Sequence, residues 1–310
     1  MAEYIDSQKA MKKRARKRLT TGLLFISPWL FGFLFFQLLP IISSFYYSMT
    51  DFNLFSAPDW VGLENYITLF NDSKMYLSLF NTIFMTVFGL FPQIAFALAI
   101  ALLLNRNVKG QSIYRTIYFL PTLVPVVAAS LLWMWLLNAQ YGLINELLGS
   151  LGLPEPNWLL DPNWTKPSLI IMGFWATGTN TIMYLAALQD VPKLYYEAAS
   201  IDGASAWQKF WKITFPSISP MTLFLVIMGL IGNFQYFSQG FIFADGGGQA
   251  IGGPENSILF YAIYLYQNAF SFLKMGYASA MAWLLFVLVL ILTIIVFRSS
   301  AKWVYYGGDK

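Results

Sequence analysis

The sequence predicts an all-α membrane protein with six transmembrane helices and both termini in the cytoplasm. Three observations carry this. Of 310 residues, 57% are hydrophobic, 18% aromatic and only 11% charged, a balance outside the range of soluble domains. Six apolar runs of about twenty residues, each long enough to cross a hydrocarbon core about 30 Å thick, exclude every charged residue. The basic residues alternate between the connecting segments: 16 Lys and Arg fall in one set and 3 in the other.

The first run, Leu23–Ser43, follows the basic leader Lys12-Lys13-Arg14-Ala15-Arg16-Lys17-Arg18. Placed directly before a span, the leader reads as an orientation anchor against anionic headgroups rather than a nucleic-acid arm. The run is too long for a signal peptide and lacks a small-x-small cleavage site. The second to sixth runs are Leu79–Leu104, Tyr118–Leu137, Ser168–Gln189, Ser217–Gly240 and Ser279–Phe297. Pro121 and Pro125 are expected to bend the third, and Trp133 and Trp135 near its outer end to anchor at the interface. The tails and the loops 105–117 and 190–216 hold the 16 basic residues. The loops 44–78, 138–167 and 241–278 hold only Lys74, Lys166 and Lys274, against nine of the acids. The positive-inside bias therefore puts the first set in the cytoplasm. The domain plan is a cytoplasmic tail 1–22, a membrane domain 23–297 and a cytoplasmic tail 298–310. The net charge of +4 is the remainder of this asymmetry and gives no pointer to nucleic acid. The loop 138–167 reads as a docking surface or as a cap on the bundle, and Gly246-Gly247-Gly248 with Gly252-Gly253-Pro254 as a flexible turn.

Absences narrow the chemistry. With no Cys and no His, thiolate, disulfide and imidazole chemistry are excluded. No Gly-x-x-x-x-Gly-Lys-Ser/Thr stretch cradles a phosphate, and no ionisable residue lies mid-run to relay protons. The chain is expected to be no enzyme and to bind no metal or cofactor. A protein that spans six times without an energy source is passive, or is driven from outside.

The most informative stretch is the loop 190–216. Pro192 suits the first turn of a short helix through Tyr195, Tyr196, Glu197, Ala198 and Ala199, ended by Gly203. A second helix is expected to pack Trp207, Phe210, Trp211 and Thr214 back onto the bundle before Pro216 stops it. Taken alone, this could be a surface hairpin without a partner. The spacing Glu197-Ala198-Ala199, Gly203, Ile213, Phe215-Pro216 resembles the signature loop of permeases of binding-protein-dependent ATP-binding-cassette (ABC) importers, with Phe where Leu is usual. The segments Ser27-Pro28-Trp29-Leu30, Leu39-Pro40, Trp60-Val61-Gly62-Leu63-Glu64-Asn65-Tyr66 and Phe119-Leu120-Pro121 are similar to the carbohydrate-uptake branch.

That resemblance implies a type I ABC importer permease fold in the cell membrane. Glu197, Ala198, Ala199, Asp202, Gly203 and Ala204 would dock on a cytoplasmic ATPase. Its partners would be a second homologous permease, two ATPase subunits holding ATP and Mg, and an external solute-binding protein delivering an oligosaccharide or related sugar. Uncharged polar residues concentrate in the fourth and fifth runs, where amides, hydroxyls and aromatic faces suit sugars. Trp175, Thr179, Asn180, Asn233, Gln235, Tyr236 and Gln239 are the candidate pathway residues. On the helix of the fifth run, Asn233, Tyr236 and Gly240 share one face, as do Gln235 and Gln239. Such residues also glue membrane helices together. The competing functions are a self-sufficient facilitator or ion-coupled sugar carrier, and a membrane sensor or scaffold.

Overall fold

The computed structural model describes residues 2–106, 109–246 and 251–306. Gly247 and Gly248 lie outside the described residues; Gly252, Gly253 and Pro254 form a buried turn. Helices make up nearly everything, and the only strands among the described residues are Thr50–Asp51 and Asp59–Trp60, paired antiparallel. Among the described residues, four helices are long and apolar enough to cross a membrane: Met11–Ser48, Ser73–Leu104, Ala206–Asp245 and Met275–Ser300. The expected third and fourth spans are bent pairs, and the number of candidate spans reaches six when each pair is one span.

The bends differ in severity. Between Gln111–Leu123 and Val126–Leu136 the axis turns by 99°, with Pro121 and Pro125 flanking the corner. Proline was expected to bend this span; it breaks it. The helix also starts at Gln111, inside the stretch read as a loop. Between Pro162–Trp175 and Gly178–Gln189 the turn is 46°, at Ala176 and Thr177. In the fifth run the helix ends at Phe234 and resumes at Ser238.

Other prolines are absorbed without a break. The helices around Pro40, Pro92 and Pro216 continue, each with a five-residue π turn just ahead: Leu34–Leu38, Thr86–Leu90 and Phe210–Thr214. Proline has no N–H to donate and its ring collides with the carbonyl four residues back. That carbonyl belongs to Phe36, Phe88 or Lys212, the middle residue of each wide turn. Widening the turn relieves the collision and the rod goes on. Pro216 therefore does not stop the helix, contrary to the sequence expectation.

Two apolar clusters hold the bundle. One gathers Met75, Leu137, Trp158, Leu169, Phe260, Tyr261 and Met281; the other Ile94, Ala97, Ala101, Tyr184, Leu188, Ile218 and Phe234. Gly178–Gln189 is wedged between Phe91–Leu104 and Phe215–Phe234. The first long helix stands apart: Phe25, Trp29 and Phe36 are exposed, and only its last part, Leu39–Ser48, packs on Met275–Ser300. Trp133 is no interface anchor, being half-buried in the first cluster edge-on to Trp175.

Hydrogen bonds knot one end of the bundle. The Asn81 amide donates to the carbonyls of Asn256 and Leu259, and the Tyr261 N–H donates to Thr82 Oγ1. Asp72 caps the helix from Ser73 through the Lys74 N–H and accepts the hydroxyls of Tyr264 and Tyr277. Partial burial pushes the Asp72 carboxyl up, but these hydrogen bonds with the Met75 amide outweigh it and hold the group below its ordinary value. The loop 138–167 packs as a cap: buried Trp158 donates its indole N–H to Asn145 Oδ1 at 2.7 Å.

Candidate functional site

A polar cavity of about 160 Å³ lies against the first apolar cluster. Met85, Leu169 and Met172 wall it on one side, and Gln93, Thr177, Asn180, Asn233, Tyr236 and Gln239 supply its polar groups. Four of the candidate pathway residues, Asn180, Asn233, Tyr236 and Gln239, therefore come together. Trp175 instead packs on Trp133, while Thr179 and Gln235 are exposed and do not line the cavity.

Two helix breaks meet here, and both supply lining. The bend at Ala176 and Thr177 opens the fourth span; the interruption after Phe234 places Tyr236 on non-helical backbone. The face-sharing expected for an unbroken helix through Asn233, Tyr236 and Gly240 thus fails, yet the residues converge because the chain turns. Irregular backbone at membrane depth is tolerated where it lines a cavity, and discontinuous helices mark binding sites in transporters. The Tyr236 ring stands edge-on to buried Phe260 at 5.3 Å. Asn233 donates to the Gly229 carbonyl at 3.1 Å. The side chains of Asn180, Tyr236 and Gln239 make no hydrogen bond among the described residues, so their polar atoms are free for a ligand.

Sequence reasoning missed Gln93. Its amide lies against Gly173, where any Cβ would collide with it, and reaches toward the Ile170 carbonyl at 3.5 Å. An amide in the inner half of an otherwise apolar run was the available signal.

The second candidate site is the hairpin 190–216. Its first arm is the helix Lys193–Ile201, with Pro192 at the N-cap rather than in the first turn. The arm closes with a Schellman motif: Ala204 N–H donates to Ala199 O at 2.9 Å and Gly203 N–H to Ser200 O at 3.2 Å. Gly203 sits at φ +73°, with open space where a side chain would be. Ser205 and Gln208 then form a capping box that starts the second arm. Two side-chain hydrogen bonds tie the arms, Tyr196 to Thr214 at 2.9 Å and Lys209 Nζ to Ser200 Oγ at 2.7 Å.

Glu197, Ala198, Asp202 and Gly203 are exposed; Ala199 and Ala204 are half-buried. Ala199 and Asp202 border two shallow grooves, one shared with Ala198 and Tyr195, the other with Gly203, Ala204 and Gln208. The expected apolar stripe packs back only in part: Thr214 is buried and Phe210 half-buried, but the two tryptophans are not. Trp207 is 70% exposed and Trp211 48%, stacked among Phe210 and Phe215 instead. Tyr196, Ile213 and Thr214 anchor the hairpin to the bundle. From its capping box the second arm runs as one helix over 206–234, ending at the cavity beside Asn233. At 1.5 Å per residue this rod is about 43 Å long.

Comparison with known proteins places this geometry. Residues 93–305 match the family described as "Binding-protein-dependent transport system inner membrane component". A probable ABC transporter permease protein, YesP of Bacillus subtilis, is 39% identical over 97% of both chains. The lactose transport system permease protein LacF of Rhizobium radiobacter is 34% identical, covering 91% of this chain and 94% of that one. The arabinooligosaccharides transport system permease protein AraP of B. subtilis is 32% identical over 90% and 88%. Among solved structures, a chain of a bacterial alginate ABC transporter superposes with TM-score 0.79 at 24% identity, covering 93% of this chain and 96% of that chain, a likeness of fold. The chain therefore belongs, by sequence, to the inner membrane components of binding-protein-dependent transport systems.

Proposed function

We propose that this chain is a permease subunit of an ABC sugar importer, driven by ATP hydrolysis in separate subunits. The observation that carries this reading is the single rod over 206–234, which joins the exposed hairpin at one end to the polar cavity at the other. Glu197, Ala198, Ala199, Asp202, Gly203 and Ala204 form the face that meets the ATPase. Small side chains allow close approach there, and Glu197 makes no ion pair among the described residues and can pair with a basic residue of the partner. Closure of two ATPases on ATP-Mg pushes the hairpin, and the rod carries the displacement to Asn233 and Tyr236. Relatives named for lactose, arabinooligosaccharide and trehalose/maltose transport support an oligosaccharide or related sugar as cargo.

A cavity of about 160 Å³ is about half the lower bound for small-molecule sites. It is one wall of the path, the facing wall coming from a second, homologous permease. The hairpin and the basic tails lie in the cytoplasm and an external binding protein delivers the sugar from the other side. In the assembled transporter, Glu197→Ala and Gly203→Pro are expected to lower substrate-stimulated ATP hydrolysis about tenfold, the scale of one lost charge-assisted contact, with membrane insertion intact. Wild-type rates in both variants would overturn the coupling role.

A further inference from the structure

Lys166 occupies an unusual place for a cation. It lies in the second turn of the apolar helix Pro162–Trp175, half-buried, and pairs with no carboxylate among the described residues. Its ammonium rests over the ring of Phe84 at 5.2 Å and near that of Phe80 at 6.0 Å. A lysine that merely snorkels lays its methylenes on apolar surface and sends the charge away to headgroups. Here the charge itself is folded onto the rings, a weak and partial compensation. Lys166 makes no hydrogen bond among the described residues, so the donors of the ammonium stay open. Read from the sequence as part of the outer loop, Lys166 lies on the same helix as the fourth apolar run, two residues before it, and an unpartnered charge at such an end of a span is a candidate counter-ion for a ligand.

The helix that carries Lys166 is also a wall of the polar cavity. Leu169 lies three residues on, Gly173 seven and Ala176 ten, all lining it. The Lys166 backbone thus stands about 10 Å along the helix from that of Gly173, on the seam where Phe84 and Gln93 of the second span face Lys166 and Gly173 of the fourth. The cavity contains no charged lining residue. A sugar chain held there by hydroxyl contacts would pass its next unit under Lys166.

Resting on the sugar-importer reading, we propose that Lys166 determines specificity by pairing with a carboxylate on the cargo, so that the preferred substrate is an oligosaccharide containing a uronic acid. One flexible ammonium matches one negative charge. A dianionic phosphate would be only half neutralised by one lysine, and no further cation lines the cavity.

The test uses the complete transporter, with its binding protein, ATPases and partner permease, in proteoliposomes. Uptake of a uronic-acid disaccharide is compared with that of its carboxyl-reduced neutral counterpart. Lys166→Gln is expected to raise the half-saturating concentration of the acidic sugar about tenfold, the scale of a lost charge-assisted hydrogen bond. The neutral sugar should be unaffected and Lys166→Arg should retain preference for the acid. Equal effects of Lys166→Gln on both sugars, or none on either, overturn the proposal. A defect that appears only in vesicles containing an anionic phospholipid assigns the ammonium to headgroups and overturns it as well. Wild type that carries only the neutral sugar removes this inference alone; wild type that carries neither removes the sugar reading too.

Discussion

At the scale of residues, the cavity presents a few neutral polar atoms in an apolar surround. Replacing Asn233 with Leu, or Tyr236 with Ala, is expected to raise the half-saturating sugar concentration of the assembled transporter about three- to tenfold, as does Gln93→Leu. Assembly of the resting complex is expected to be unchanged, and unaltered uptake kinetics in all three would dismiss the site. Asp72 makes a different prediction. Its folded value is depressed, so its stabilising effect is complete above the ordinary carboxylate value near 3.9 and is lost as pH falls through the lower, folded value. Asp72→Asn is therefore expected to cost about 1 kcal/mol at neutral pH, kept small by partial solvent screening. Thermal melts of the two proteins should converge as pH drops below about 4. The sequence made Asn180, Asn233, Tyr236 and Gln239 legible because polar side chains in apolar runs are few. It could not separate them from Trp175, Thr179 and Gln235, since facing depends on where the helices break, and the breaks are set by packing against other spans.

At the scale of elements, the hairpin was readable in outline and not in its mechanics. Glycine at 203 announced the turn, and the Schellman closure with φ +73° agrees. Pro216 was read as a stop because proline ends helices in isolation. The π turn at Phe210–Thr214 accommodates it, and no sequence periodicity signals a wide turn. Likewise, Trp207 and Trp211 sit at helical spacing for a buried stripe, but they are exposed, and shorter-reaching Tyr196, Ile213 and Thr214 fill the contact. If the unbroken rod transmits force, inserting Gly-Gly after Lys212 should dissociate its two ends. ATP hydrolysis should persist in the assembled transporter while stimulation by sugar-loaded binding protein falls to the unstimulated level. Stimulation that survives the insertion would show that force reaches the cavity by another route.

At the scale of the molecule, composition and charge-free runs made the helical, membrane-spanning character plain, while the corner of 99° in the third span and the break in the fifth were beyond them. Sidedness rests on the distribution of lysine and arginine, and the chain offers a clean way to measure it because it contains no cysteine. Single cysteines at Ser200 and Ser150, each on an exposed position, should react with a membrane-impermeant maleimide from opposite faces of the membrane. Ser200→Cys should label only in inside-out vesicles and Ser150→Cys only in right-side-out ones. Labelling from the same face would reverse the coupling proposal, since the hairpin could not then meet a cytoplasmic ATPase. The wide turns ahead of Pro40, Pro92 and Pro216 have a consequence for how such a bundle moves. Each leaves room for the ring of the proline that follows, so a motion that tightened the turn would drive that ring into the carbonyl four residues back. The three wide turns are thus wedged open by the proline that follows each of them.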